Sequence, residues 1–137
     1  MAVHTDLTIY QGDTYLSPWW VVVVDGAGIE LADPDAGWTV KAQARRDGEV
    51  VLTWATTGST TGARILTSPW TGEVDGQPVQ TSAVRLYLTP AATALLEANR
   101  SLAFDIELNN PDAGPLDDPY RVTLVVGAIS VTKDVTE

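Results

Sequence analysis

Residues 102–108 read LAFDIEL, and this stretch decides the fold class of the chain. Apolar side chains occupy every second position, whereas Asp105 and Glu107 occupy positions between them. Because successive side chains of a β-strand point to opposite faces of a sheet, this alternation is typical of a strand with one buried face. We therefore expect residues 102–108 to form a strand that covers a hydrophobic core.

The same strand signals recur along the chain in short runs that Gly, Pro, Asn and Asp separate. The other runs are LTIY at 7–10, VVVV at 21–24, WTVKAQAR at 38–45, VVLTW at 50–54, VRLYL at 84–88 and the stretch from 120 to 131. Asp-Gly pairs at 25–26 and 47–48 predict hairpin turns, whereas residues 73–78 are interpreted as a loop insertion. The patterns predict a mainly β protein, folded as a single β-sandwich that is immunoglobulin-like or related.

One short helix is predicted from Pro90 to about Ala98. Thr89 is a good N-cap residue, Pro90 suits the first helical position, and the Ala and Leu residues that follow favour helix. A helix of two or three turns cannot form a core alone. We therefore expect it to close one end of the sandwich.

The chain has 137 residues, the size of one ordinary domain. We expect residues 1–137 to form a single sandwich domain with a flexible N-terminal arm at 1–5 and a flexible C-terminal tail at 131–137, because neither end is rich in apolar residues. The start lacks the basic flank and apolar run of a signal peptide, and the apolar run at 19–24 is far shorter than the ~20 residues of a membrane helix. These features predict a soluble protein made in a cytoplasm.

Charge and cysteine content limit the partners and the chemistry. Eight Lys and Arg residues against eighteen Asp and Glu residues give a formal net charge of −10. That charge repels phosphate backbones and anionic membrane surfaces, so neither a nucleic acid nor a membrane is an expected partner. The chain has no cysteine, which removes disulfide bonds and thiolate catalysis.

Few residues could carry catalysis. A nucleophile triad needs a base, and the single histidine, His4, lies in the predicted arm. Asp105 and Glu107 share a strand face and could form a glycosidase pair, but a solvated strand face is the simpler interpretation. The aspartates of the loop 112–118 could gather around calcium, although their spacing matches no EF-hand loop and aspartate is a common turn residue. We therefore predict no enzyme and assign no catalytic, cofactor-binding or metal-binding residue.

Five tryptophans in a small β domain could form a platform on which sugar rings stack. Trp38 fits an inward position of its strand and is predicted to lie in the core. Trp19, Trp20, Trp54 and Trp70 fit either a core position or a contact surface. If Trp19 and Trp20 both lay in a strand, they would point to opposite faces.

The segment LTIYQGDTY at 7–15 resembles the opening strand and the Gly-Asp-Thr-aromatic turn of small bacteriophage virion proteins. The resemblance is to domains like the N-terminal β domain of upper baseplate proteins. Residues 38–45 resemble the next strand of that domain, and residues 88–95 and 104–108 resemble its short helix and the strand after it. The likeness therefore spans most of the chain as a pattern.

The resemblance implies a virion structural protein that is assembled in the host cytoplasm as a tail-tip, baseplate or minor tail component. Its partners would be other virion proteins, and it would be present in symmetric copies. The chain departs from the pattern at Trp19 and Trp20 and in the loops 73–80 and 109–119. Two other functions stay open: a capsid decoration or other head-associated protein, and a carbohydrate-binding module for a host glycan.

The expected contact residues are exposed aromatic anchors and a strand edge. They are Trp19, Trp20, Trp70, Leu7, Ile9 and Tyr10. No functional residue is carried over from the resemblance, because such proteins act through surfaces rather than through single side chains.

Overall fold

The computed structural model of the chain describes residues 3–24, 26–32, 37–55, 61–110 and 120–133. Two β-sheets and one short helix make up this part of the chain, so the predicted mainly β sandwich is confirmed. The strands are β1 (Val3–His4), β2 (Leu7–Tyr10), β3 (Tyr15–Leu16), β4 (Trp20–Val24), β5 (Ala27–Gly28), β6 (Thr39–Arg46), β7 (Glu49–Ala55), β8 (Ala63–Val74), β9 (Gln77–Leu88), β10 (Ser101–Asn110) and β11 (Tyr120–Thr132), and the helix is α1 (Pro90–Ala94).

The first sheet has the order β1-β11-β10-β6-β7, with β2 also beside β11. The stretch 102–108 lies in β10, which pairs antiparallel with both β11 and β6. The alternating side chains of β10 lie on the two faces as predicted. Its four large apolar side chains are buried, and Asp105 and Glu107 on the other face are half-exposed. β6 and β7 are joined at the predicted turn, where Asp47 and Gly48 both have positive φ angles of 53° and 85°.

The second sheet is built around β9. The strand β8 lies on one side of β9 along twelve residues, and β3 and β4 lie on the other side. Trp54 on β7 is fully buried, and its Nε1 donates a hydrogen bond to the carbonyl oxygen of Tyr87 on β9 at 3.2 Å. This tryptophan therefore joins the two sheets through the core.

The interpretation of residues 73–78 as a loop insertion is wrong. Glu73 pairs with Pro78 and Val74 with Gln77, so these residues are the tip of the β8–β9 hairpin. Asp75 and Gly76 form its two-residue turn, with φ angles of 52° and 79° that match the hairpin turns in which both central residues are left-handed. Prolines at 69 and 78 conceal the strand pattern in the sequence.

The helix starts where the sequence predicts and ends earlier. Thr89 is the N-cap, and its hydroxyl oxygen accepts a hydrogen bond from the amide of Ala92 at 3.2 Å. The helix ends at Ala94 rather than near Ala98, and Asn99 adopts a left-handed φ of 61°. Ala92 and Leu96 still pack into the core, so this segment covers one end of the apolar interior.

The predicted arm at 1–5 and tail at 131–137 both contain residues that belong to the sandwich. Val3 and His4 form β1, which pairs parallel with Val125 and Val126. Val131 is buried in β11, and its amide donates to the carbonyl oxygen of Arg100 at 3.1 Å. A low content of apolar residues does not by itself predict flexibility, because main-chain pairing can hold a strand with few apolar side chains in a sheet. Residues 1–2 and 134–137 lie outside the described part.

The N-terminal strands approach β11 closely at a glycine. A Cβ atom on Gly127 would lie 1.7 Å from the carbonyl oxygen of Thr5. The amide of Thr5 donates to the carbonyl oxygen of Val126 at 2.9 Å, and the Asp6 carboxylate accepts from the amide of Ala128 at 3.1 Å. Because any larger residue at 127 would displace the main chain of Thr5, glycine is required at this contact.

Two hydroxyl side chains on β9 hold the segment after β4 and β5. The Thr81 hydroxyl accepts from the amide of Ile29 at 2.8 Å and donates to the carbonyl oxygen of Val22. The Ser82 hydroxyl accepts from the amide of Leu31 at 3.0 Å. Side chains therefore satisfy main-chain groups where β4 and β5 diverge from the regular ladder.

We predict that Thr81→Val destabilises the fold, because the change keeps the side-chain shape but leaves the buried amide of Ile29 without its acceptor. The expected loss is about 1–3 kcal/mol of unfolding free energy, measured by urea denaturation with tryptophan fluorescence. Thr71→Val, at an exposed site of the same hairpin, is the matched control. Equal unfolding midpoints for the two variants would contradict this account.

Candidate functional site

An apolar groove runs between the edges of the two sheets. One wall is β4 of the second sheet, and the other wall is formed by Val3 and the first half of β11. Its lining includes Val3, Trp19, Trp20, Val21, Val122 and Leu124, and none of its lining residues is charged. We call it the seam groove.

The seam groove joins exposed and half-buried apolar side chains. Val3, Trp19 and Val21 are exposed, at 54%, 43% and 39% of their full surface. Trp20 and Leu124 are half-buried and pack against the core. The groove is therefore a place where the hydrophobic interior reaches the surface.

The exposed Trp19 is held in a fixed position by Arg85. The guanidinium carbon of Arg85 lies 4.8 Å from the centroid of the Trp19 ring, which is the geometry of a cation–π contact. Nε and Nη2 of Arg85 donate to the carbonyl oxygen of Ser17 at 2.9 and 2.8 Å, and the Ser17 hydroxyl accepts from the amide of Leu86 at 2.8 Å. The Ser-Pro-Trp segment is thus tied to β9, and little side-chain freedom is left to lose when a partner binds.

The structure brings only some of the predicted contact residues together. Trp19 and Trp20 line the same groove, because Trp19 precedes β4 and is not held to the alternation of a strand. Tyr10 is exposed at 52%. Leu7 and Ile9 lie in β2, which pairs with β11 and with no other described strand, as a sheet edge does; their side chains are only 6% and 0% exposed and face the core, so a contact at this edge would use the main chain.

Trp70 lies apart from the seam groove, on β8 at the base of the projecting part of the hairpin. It lines a second groove with Glu30, Gln80 and the hydroxyl-bearing residues Thr67, Ser68 and Thr71. The Trp70 ring covers Gly72, where a Cβ atom would lie 2.5 Å from the ring. Trp70 therefore lines a different groove from Trp19 and Trp20.

The remaining tryptophans are structural. Trp54 is buried, as described above, and Trp38 is half-buried against the core, in line with the inward position predicted for it.

The carboxylates considered as a glycosidase pair are ion-paired on the outer face of the first sheet. Asp105 lies 3.4 Å from the Arg45 guanidinium, and Glu107 lies 3.2 Å from that of Arg121. Each carboxylate is therefore engaged by a different arginine on the strand face rather than aimed with the other into a cleft. The arrangement is that of a solvated, charge-paired strand face.

The other candidate catalytic and metal-binding side chains form no cluster in the part of the chain that the structure describes. His4 lies 3.2 Å from Asp6, and both side chains are exposed. No group of three or more metal-ligating side chains occurs within the described residues, and none of their helices is long and apolar enough to cross a membrane. The calcium hypothesis concerned the loop 112–118, which lies outside the described residues.

The sequence did not identify several residues that form the seam groove. Val21 belongs to the VVVV run, which signals a strand but does not show that one side lies at a sheet edge. Val122 and Leu124 come from a strand about a hundred residues away. Arg85 gives no local signal, because its role depends on pairing between β3, β4 and β9.

The fold and the seam groove together define a β-sandwich domain that presents an uncharged apolar surface at the side of its two sheets. Comparisons of the chain with protein-family models, with curated proteins and with solved structures find no match.

We predict no hydrolytic turnover of peptide, ester or glycan substrates, because Asp105 and Glu107 are each ion-paired with an arginine on an open strand face. The measurement is product release in broad hydrolase screens with the purified chain, and Asp105→Asn and Glu107→Gln should give the same background. Reproducible turnover that one of these substitutions abolishes would contradict the prediction.

We predict that alkaline pH weakens the fold through Tyr15. Burial raises the pKa of Tyr15 to about 12, and the Arg85 guanidinium opposes that rise. Between the ordinary pKa of ~10 and about 12, the unfolded chain releases the phenolic proton while the folded chain keeps it, so stability falls as pH rises. Urea midpoints measured from pH 9 to 12 should fall less steeply for Tyr15→Phe than for the unsubstituted chain, whereas Tyr10→Phe, at an exposed site, should follow the unsubstituted chain.

Proposed function

We propose that this chain is a non-enzymatic structural protein of a bacteriophage virion, located at the tail tip or baseplate and assembled through protein–protein contacts. The observation that carries the proposal is the seam groove, with Trp19 exposed and yet fixed by Arg85. Protein interfaces are enriched in aromatic residues and depleted of charge at their centre, and the groove has both properties.

The phage assignment is supported by the sequence resemblance at residues 7–15, 38–45, 88–95 and 104–108. The same segments contribute to β2, β6 and β10 and to the helix α1. The charge distribution supports a protein partner as well, because the net charge of −10 disfavours nucleic acid and anionic membranes. The partners are other virion proteins, and symmetric copies in the particle follow from the symmetry of tails.

A capsid decoration or other head-associated protein would use the same kind of surface. The two locations differ in what surrounds the protein and not in the chemistry of the groove. Mass spectrometry of purified particles tests whether the chain is a virion component, and immunogold labelling separates tail from head. Label at the tail tip supports the proposal, whereas label on the head would assign the chain to the capsid instead.

A second candidate function is binding of a host glycan, and it is favoured by the groove at Trp70. Its aromatic face lies beside hydroxyl groups, the Glu30 carboxylate and the Gln80 amide, the mixture that sugar rings bind by stacking and hydrogen bonding. Glycan-array binding that Trp70→Ala abolishes and Trp19→Ala leaves unchanged would support this function.

We predict that Trp19→Ala reduces incorporation of the chain into particles much more than Glu73→Ala does. Loss of an aromatic anchor costs about 2 kcal/mol or more, which is ~30-fold in affinity, whereas a charge at an exposed hairpin tip contributes little. Copy number per particle is measured by quantitative mass spectrometry after each variant is shown to fold by circular dichroism.

High salt distinguishes apolar contacts from ionic contacts between the chain and the particle. Salt screens charge and strengthens apolar burial, so we expect the chain to remain on particles washed at 1 M NaCl. Release under these conditions, or normal copy number of folded Trp19→Ala, would contradict assembly through the seam groove.

A further inference from the structure

The tripeptide Ser-Pro-Trp occurs twice in the chain, at residues 17–19 and 68–70. The two copies lie on opposite sides of β9, since the amide of the first serine donates to the carbonyl oxygen of Leu86 and the second serine pairs with Ala83 in the β8–β9 ladder. In each copy the serine hydroxyl donates to the carbonyl oxygen of the proline that follows, at 2.9 Å in the first and 3.3 Å in the second. The two tryptophans therefore follow the same local structure.

Only one of these two tryptophans has a cation over its ring among the described residues. The guanidinium of Arg85 lies over Trp19, and no contact of this kind is formed by Trp70. Arg85 pairs with Leu66, four residues before Trp70 on β8, and the residue opposite Trp70 on β9 is Thr81, which has no charge. The ring of Trp70 is therefore left without a cation from the described part of its own chain.

We call the groove that Trp70 lines the Trp70 groove. Its described lining residues include one charged side chain, the carboxylate of Glu30. This side chain is exposed and forms no ion pair or hydrogen bond in the described part of the chain, unlike Asp105 and Glu107, which each have an arginine. The Trp70 groove therefore combines an aromatic ring and a carboxylate, and neither has a cationic partner.

We propose that the Trp70 groove binds an arginine side chain of a neighbouring protein, with the guanidinium against the ring of Trp70 and in an ion pair with Glu30. Tryptophan is the aromatic residue that attracts cations most strongly, and a guanidinium both stacks on aromatic faces and pairs with carboxylates. The net charge of −10 also attracts a basic partner. The inference rests on the proposed function for the identity of the neighbour as a virion protein, but the binding itself is tested on the isolated chain.

A neutral sugar, the occupant in the second candidate function, would use the ring of Trp70 but not the charge of Glu30. An arginine uses both groups at once. It is also the residue that the first Ser-Pro-Trp copy already holds over its tryptophan. The charge of the groove and the occupant of the first copy therefore favour the cation.

The test is an NMR titration of the isotope-labelled chain with the capped tripeptide Gly-Arg-Gly, and capped Gly-Gln-Gly is the uncharged control. We expect the indole N–H signal of Trp70 and the amide signals of residues 67–71 to shift with the arginine peptide and to saturate at millimolar concentration. The glutamine peptide should give no such shifts. Equal affinity for the two peptides would overturn the proposal.

Substitutions distinguish the groove from a general attraction of basic peptides to an acidic chain. Glu30→Gln and Trp70→Leu should each weaken binding of the arginine peptide about 2–5-fold, and the leucine keeps an apolar side chain over Gly72. Glu73→Gln removes the same charge at an exposed site on the hairpin tip and should leave the affinity unchanged. Equal losses in Glu30→Gln and Glu73→Gln would overturn the proposal. Glu30 is exposed, so this comparison remains decisive even if Trp70→Leu fails to fold.

Sugars test the other sources of a ligand. Methyl glucosaminide carries an ammonium group on a sugar ring, and methyl glucoside is its neutral counterpart. Weaker binding of both sugars than of the arginine peptide agrees with a protein side chain, whereas tighter binding of either would assign the groove to a glycan and overturn the proposal. None of these results depends on particles. Absence of the chain from virions would contradict the proposed function and leave arginine binding at the Trp70 groove standing.

Discussion

The parallel pairing of residues 3–10 with residues 125–132 is the constraint on which the rest of the structure depends. It brings the first and last described strands together at one edge of the first sheet, and Gly127 permits the close approach of Thr5 that this pairing needs. The chain then crosses to the second sheet at Tyr15 and runs along β9 as β3 and β4. Because one continuous N-terminal segment supplies edge strands to both sheets, its course determines the side of the sandwich at which the seam groove opens.

The sequence predicts an element well where one physical signal dominates. The period of two at residues 102–108 identifies β10, and Thr89 with Pro90 identifies the start of the helix. The pattern LTIY at 7–10 also indicates a strand, but it does not show which strand pairs with it; β2 pairs parallel with β11, and the side chains of Leu7 and Ile9 face the core. The hairpin tip at 73–78 has no clear strand pattern in the sequence, because its strands have few buried side chains and contain proline.

The candidate site was predictable only in part, because it is made by distant segments. The VVVV run and the adjacent tryptophans marked one wall of the seam groove, and both tryptophans do line it. The other wall comes from β11, and the residue that fixes Trp19 comes from β9, 66 positions further along the chain. Strand pairing creates these contacts, and no sequence pattern close to Arg85 or Leu124 predicts them.

The two prolines of the β8–β9 hairpin have a consequence for colloidal behaviour. Counted from the turn at Asp75 and Gly76, Pro69 and Pro78 both occupy positions whose nitrogens point away from the partner strand. The outward rows of amides are therefore interrupted on both strands, and a long exposed edge loses the regular donors on which sheets extend from molecule to molecule. The hairpin is therefore a poorer template for cross-β stacking between molecules than a strand edge of the same length without proline would be.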